Sequence, residues 1–135
     1  MRLFTGLDLP AEVVHNLEQL LERLRPTARI HWSLPANLHI TTKFIGEWPE
    51  ERLGELKAPL AALGIAREMR AFSPHLTLAR IKEKVPLQPL REAVVGLASL
   101  DFGQFQAASF FLYQSTLRPS GSVYTKLAEF PLVKQ

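Results

Sequence analysis

Apolar and polar positions change their period several times along this chain, and each change marks an element. Arg2 to Asp8 is a short apolar run bounded by charges and reads as a strand. From Pro10 the period becomes helical. Val13, Val14, Leu17, Leu20, Leu21 and Leu24 recur at steps of three and four residues with charges between them. That spacing predicts an amphipathic helix over residues 10–25, with Pro10 in the first turn, where its missing N–H costs nothing, and Pro26 helping to end it. Arg29 to Ser33 reads as a second strand and Pro35-Ala36-Asn37 as a turn. Alternation of apolar and polar residues then runs from Leu38 to Ile45 and is closed by Gly46 and Pro49. Leu53, Leu56, Leu60 and Leu63 predict a second helix over residues 50–63, weakened or kinked by Gly54 and Pro59. Residues 64–73 show no clear period. Alternation returns from His75 to Ile81. Pro86 and Pro89 open a third helix carrying Leu87, Leu90, Val94 and Leu97, which stops near Ser99. Phe102 to Leu117 is β-rich and bent or split. Arg118 to Ser122 is a turn, and Val123 to Phe130 returns as a strand, giving a terminal hairpin. The order β-α-β-β-α-β-α-β-β predicts an α+β fold with mainly antiparallel sheet.

The two alternating segments are copies of one phrase. Leu38-His39-Ile40-Thr41-Thr42-Lys43-Phe44-Ile45-Gly46-Glu47 lies over Pro74-His75-Leu76-Thr77-Leu78-Ala79-Arg80-Ile81-Lys82-Glu83, with His, an aliphatic residue, Thr, Ile and Glu shared. A strand sends residues i and i+2 to one face. Each copy therefore offers an imidazole beside a hydroxyl, His39 with Thr41 and His75 with Thr77, over an aliphatic opposite face. Lys43 falls on the His39 face. Two such imidazoles suit phosphodiester chemistry, one taking a proton from attacking water while the other donates to the leaving oxygen. Hydroxyls two residues on can donate to non-bridging phosphate oxygens. Neither histidine has a carboxylate at metal-ligand spacing, so no metal or cofactor is expected. Phe44 reads as core. Tyr113, Arg118 and Lys126 are candidates for a cleft, whereas His15 and His31 read as non-catalytic.

Composition sets the remaining bounds. With 135 residues, 47% apolar and 21% charged, the chain fits one domain with a core of its own. Its net charge of +3 and pI near 9.5 suit an anionic ligand. No cysteine is present, which excludes disulfides and thiolate metal sites. Asp8 and Pro10 interrupt the first apolar run too early for a signal peptide, and no stretch is long enough to span a bilayer, so a cytoplasmic location and no membrane partner are expected.

Beyond the repeat, the chain resembles the two-histidine (2H) phosphoesterase superfamily, and within it the 2′-5′ RNA ligase-like proteins, also called RNA 2′,3′-cyclic phosphodiesterases. The resembling residues are Met1-Arg2-Leu3-Phe4 and Leu7-Asp8-Leu9-Pro10, then Pro35, Asn37 to Thr41 and Lys43 to Gly46. Ser73 to Arg80 and Phe110, Leu112 to Ser115 continue the match. The resemblance implies a bilobal, pseudo-twofold fold covering residues 1–135, with one motif in 1–63 and the other in 64–135. It implies hydrolysis of RNA or nucleoside 2′,3′-cyclic phosphates to 2′-phosphates, and in some members reversible 2′-5′ RNA joining. RNA ends or small cyclic nucleotides are then the partners. His39, Thr41, His75 and Thr77 take the catalytic positions. Arg80 takes the place of a basic residue that handles substrate phosphate; Lys43 and Tyr113 are further substrate-binding candidates. Simple alternation puts Arg80 opposite His75, so a bulge, twist or strand end has to redirect it. The family carries more strands and a helix between the motifs than fit here. A shortened middle leaves either an exposed sheet edge or a homodimer in which two chains complete each other by swapping or edge pairing. A shortened relative that binds RNA or nucleotides without turnover is the alternative function.

Overall fold

The computed structural model describes residues 1–57 and 71–132. In chain order its elements are β1 (Arg2–Asp8), α1 (Ala11–Leu24), β2 (His31–Trp32), β3 (His39–Glu47), β4 (Ala79–Arg80), α2 (Gln88–Val95), β5 (Ser109–Arg118) and β6 (Gly121–Pro131). Short 3₁₀ helices occupy Arg25–Thr27, Pro35–Asn37 and Glu50–Lys57. Two compact units share the chain. Met1–Leu7, Ile40–His75 and Ala107–Gln135 form the first, and Asp8–His39 with Leu76–Gln106 form the second. The chain therefore passes from one unit to the other directly after each motif histidine.

The first unit is built on a four-stranded sheet in the order β3-β1-β5-β6. β1 is an inner strand, which explains why Leu3, Phe4 and Thr5 are all buried although they point to alternate faces. Leu3 joins Trp48, Leu56 and Leu112 in a core to which Ile45, Leu53, Leu127 and Phe130 add partly buried area. On β1, Phe4 stacks on Tyr113, its antiparallel neighbour on β5, at 5.0 Å between ring centroids. The β5–β6 hairpin turns at Gly121, whose φ of +116° is open to glycine and strained for other residues. Glu50–Lys57 forms one 3₁₀ helix where an α-helix over 50–63 was expected, and the rest of that helix lies outside the described residues.

The second unit packs α1 on its own core of Val13, Leu17, Leu20, Leu21, Leu24 and Leu38. Leu90, Ala93 and Leu97 of α2 and its C-terminal flank pack against that core, as do Trp32, Leu76, Leu78 and Phe102. Helical spacing predicted α1 to within a residue at each end.

Four further sequence expectations shift. The strand expected over Arg29–Ser33 shrinks to His31–Trp32, because the chain folds back to let the Trp32 indole donate to the Ala28 carbonyl at 3.0 Å. The strand expected over His75–Ile81 shrinks to Ala79–Arg80, since its partner β2 is only two residues long. Phe102–Leu117 becomes a strand only from Ser109, because Gly103 takes φ +114° and the segment before it is tied to α1 by Asn16 Nδ2 donating to the Phe102 carbonyl at 3.1 Å. Phe44 is not core: it is 48% exposed, with the Arg2 guanidinium 5.0 Å over its ring.

Candidate active site

His39 opens β3 directly after the 3₁₀ turn Pro35–Asn37, which the Leu38 N–H closes by donating to the Pro35 carbonyl at 3.2 Å. Leu38 is buried in the second unit's core and fixes the backbone just ahead of the ring. The His39 Nδ1 then lies 2.7 Å from the Asn37 carbonyl. His75 repeats the device, with Nδ1 3.0 Å from the Ser73 carbonyl, again two residues upstream. A carbonyl oxygen only accepts, so both rings carry their proton on Nδ1. In each, Nε2 is then an acceptor when the imidazole is neutral and a donor when it is charged, which gives the same nitrogen both proton-transfer roles.

The backbone at Thr77 is held by Ser33, directly after β2. The Ser33 hydroxyl donates to the Thr77 carbonyl at 2.7 Å, and the Ser33 N–H donates to the Leu78 carbonyl at 2.8 Å. Leu76 and Leu78, on either side of Thr77, pack against the same core that buries Leu38. Within the second unit one apolar cluster thus supports the backbone at His39 and at Thr77. Thr41 and His75 belong to the first unit.

The substrate-contact candidates are spread more widely. Arg80 ends β4, is exposed and stands opposite His31 in the pair. Lys43 sits midway along β3, and its carbonyl is 3.5 Å from the Thr5 hydroxyl. Tyr113 is 6% exposed, with its ring held between Phe4 and Phe111. Lys126 lies 4.1 Å over the Phe111 ring, and Arg118 is exposed at the hairpin end. Among the described residues no three His, Asp or Glu side chains gather as a metal ion would need. Ser33 escaped the sequence reading. It ends an expected strand like any small polar residue, and only the pairing with Thr77 gives it a task.

Comparison with known proteins agrees with this picture. A family model described as LigT like phosphoesterase matches the chain in two stretches, residues 7–67 and 53–124. The RNA 2′,3′-cyclic phosphodiesterase of Methanocaldococcus jannaschii is 27% identical over 175 aligned positions, which cover 96% of this chain and all of that protein. The protein of the same name from Thermus thermophilus is 29% identical over 187 positions, covering 98% and 90%. An alignment of 175 positions exceeds a chain of 135 residues by 40, so the relatives carry at least that many positions with no counterpart here. The two family-model stretches overlap at residues 53–67, between the motifs. In fold, the crystal structure of TT0787 of Thermus thermophilus matches with a TM-score of 0.72 at 26% identity, covering 98% of both chains. E. coli LigT complexed with 3′-AMP matches with a TM-score of 0.67 at 20% identity and the same coverage. With the doubled His-x-Thr frame, its two anchored imidazoles and a family match spanning most of its length, the chain belongs to the LigT-like phosphoesterases.

Proposed function

We propose that this protein opens 2′,3′-cyclic phosphates at RNA ends or on small nucleotides to give 2′-phosphates, using paired histidines and no metal. The relatives at 27% and 29% identity named as RNA 2′,3′-cyclic phosphodiesterases supply the substrate class. The observation that carries the chemistry is the twofold anchoring of Nδ1, at 2.7 Å in His39 and 3.0 Å in His75. One Nε2, unprotonated, takes a proton from water as the water oxygen bonds to phosphorus. The other, protonated, gives its proton to the 3′ oxygen as the phosphorus–O3′ bond breaks. Thr41 and Thr77 hydroxyls donate to the non-bridging oxygens, where charge builds in the transition state. Arg80 and Lys43 add positive charge for the substrate phosphate, and Tyr113 stiffens the sheet beneath. A 5′-hydroxyl of a second RNA in place of water would give a 2′-5′ linkage by the same step. A cytoplasmic setting is part of the proposal.

The test is hydrolysis of a 2′,3′-cyclic nucleotide in EDTA by wild type, His39→Ala and His75→Ala. Wild-type turnover is expected to be metal-independent, and each substitution is expected to lower kcat by at least about 10²-fold. Equal turnover in all three would sink the proposal, and binding without product would favour a shortened binding protein. In the proposed reading a single chain supplies all four motif residues. Mixing the two inactive variants should then restore nothing, whereas restored activity would mean that a homodimer shares the site.

A further inference from the structure

Thr5 stands where an apolar residue would serve the core. It lies in the middle of β1 and is 4% exposed. Among the described residues it is the only buried side chain that is neither apolar nor aromatic. Leu3, two residues back on the strand, belongs to the first unit's core, and so does Leu112, the antiparallel partner of Thr5 on β5. Burying a hydroxyl in such a place costs free energy unless it is hydrogen-bonded, whereas a valine of the same shape carries no such cost. The hydroxyl is bonded, and to β3. Its oxygen lies 2.8 Å from the Thr42 hydroxyl and 3.5 Å from the Lys43 carbonyl. Each hydroxyl has one proton, so both contacts form together when Thr42 donates to Thr5 and Thr5 donates to Lys43. Backbone pairing already joins β1 to β3, so the hydroxyls are not needed to hold the two strands together. They act on a shorter stretch, because Thr42 and Lys43 directly follow Thr41. Among the described residues β3 is outermost in its sheet, with β1 as its neighbour, so Thr41 takes its sheet support from β1.

We infer that Thr5 is a positioning residue for Thr41. Through the Thr42 hydroxyl and the Lys43 carbonyl it fixes the backbone that aims the Thr41 hydroxyl at a non-bridging oxygen of the substrate phosphate. This rests on the reading of the protein as a cyclic phosphodiesterase. Thr5 is buried and acts through its neighbours, all of them in the first unit. The second motif carries a device of the same kind, the Ser33 hydroxyl on the Thr77 carbonyl at 2.7 Å. Each motif threonine thus has a hydroxyl clamp on the backbone at it or just beyond it.

The test is Thr5→Val, which keeps the shape and removes the hydroxyl, assayed on a 2′,3′-cyclic mononucleotide. Its kcat should fall about tenfold with KM changed less than about twofold, and Thr5→Ser should recover most of kcat. In a Thr41→Val background the hydroxyl to be placed is gone. There Thr5→Val should lower kcat by less than about twofold further, because two changes to one interaction are not additive. Unchanged kcat in Thr5→Val would overturn the inference, as would a loss that Thr5→Ser does not restore. A second loss of about tenfold in the Thr41→Val background would overturn it too. Should Thr5→Val fail to fold, Thr42→Val, at a half-buried position, carries the same comparisons. If the wild type turns nothing over, the proposed activity fails, and hydrogen exchange then tests the clamp alone. The Thr42 and Lys43 amides should exchange about tenfold faster in Thr5→Val than in wild type, and equal rates would overturn the clamp.

Discussion

Replacing Ser33 by alanine removes one hydroxyl and asks whether Ser33 holds the backbone at Thr77 in working position. The hydroxyl donates to the Thr77 carbonyl at 2.7 Å, and the Ser33 N–H donates to the Leu78 carbonyl at 2.8 Å. Alanine loses the first bond and keeps the second, so the pairing register survives. A neutral hydrogen bond of this kind nets about 1 kcal/mol. For 135 residues, at about 2.1 cal/mol/K of unfolding entropy each, that corresponds to a Tm lower by roughly 3–4 °C. Activity should respond more steeply than stability. In the proposed mechanism the Thr77 hydroxyl meets a phosphate oxygen at hydrogen-bonding distance in the transition state, and a backbone released on one side drifts. We expect kcat to fall about tenfold with KM changed less than about twofold. Ser33→Thr keeps the hydroxyl and should recover most of kcat. The assays are steady-state hydrolysis of a 2′,3′-cyclic nucleotide and a thermal melt followed by circular dichroism. A lower Tm with unchanged kcat would refute the positioning role and leave Ser33 as packing.

Two further outcomes concern the fold. Leu21 is fully buried in the core that holds Leu38 and packs against Leu76 and Leu78, so Leu21→Ala should cost roughly 3 kcal/mol in urea unfolding, and a loss below about 1 kcal/mol would refute that core. Glu55 is held below the usual carboxylate range, first by its hydrogen bond from Arg52 and then by that guanidinium's charge, against an opposing effect of burial. A depressed folded value means that the contribution is present above the unfolded value and lost as pH falls through the folded one. Wild type should therefore unfold at slightly higher urea than Glu55→Gln at pH 7, with the gap closing below about pH 4. A gap that does not shrink as pH falls through the carboxylate range would contradict the assignment.

Much of this was legible because it depends on local rules. Leucine spacing alone set α1, since a helix of that length needs one apolar stripe and the sequence supplies one. Alternation in Leu38–Ile45 set β3 and put His39 and Thr41 on one side. The same rule failed for His75–Ile81, where only Ala79–Arg80 pairs. A strand exists only where it has a partner, and the partner's length was decided by the Trp32 fold-back rather than by the motif. Phe44 misled for a related reason. An aromatic in a strand reads as core, but on an outer strand one face stays open, and there Arg2 covers the ring.

The sequence by itself determined the chemistry on offer: two imidazoles, two hydroxyls two residues away, and a shortened gap between them. Residue type and strand period suffice for that. Tertiary structure decided which atoms are committed. The Asn37 and Ser73 carbonyls fix the protonated nitrogen of each ring, Ser33 clamps Thr77, and one buried cluster supports the backbone at His39 and at Thr77. The Ser33 clamp and the buried cluster join residues distant in the chain, and the two imidazole bonds depend on the local backbone course, which residue type and strand period do not encode.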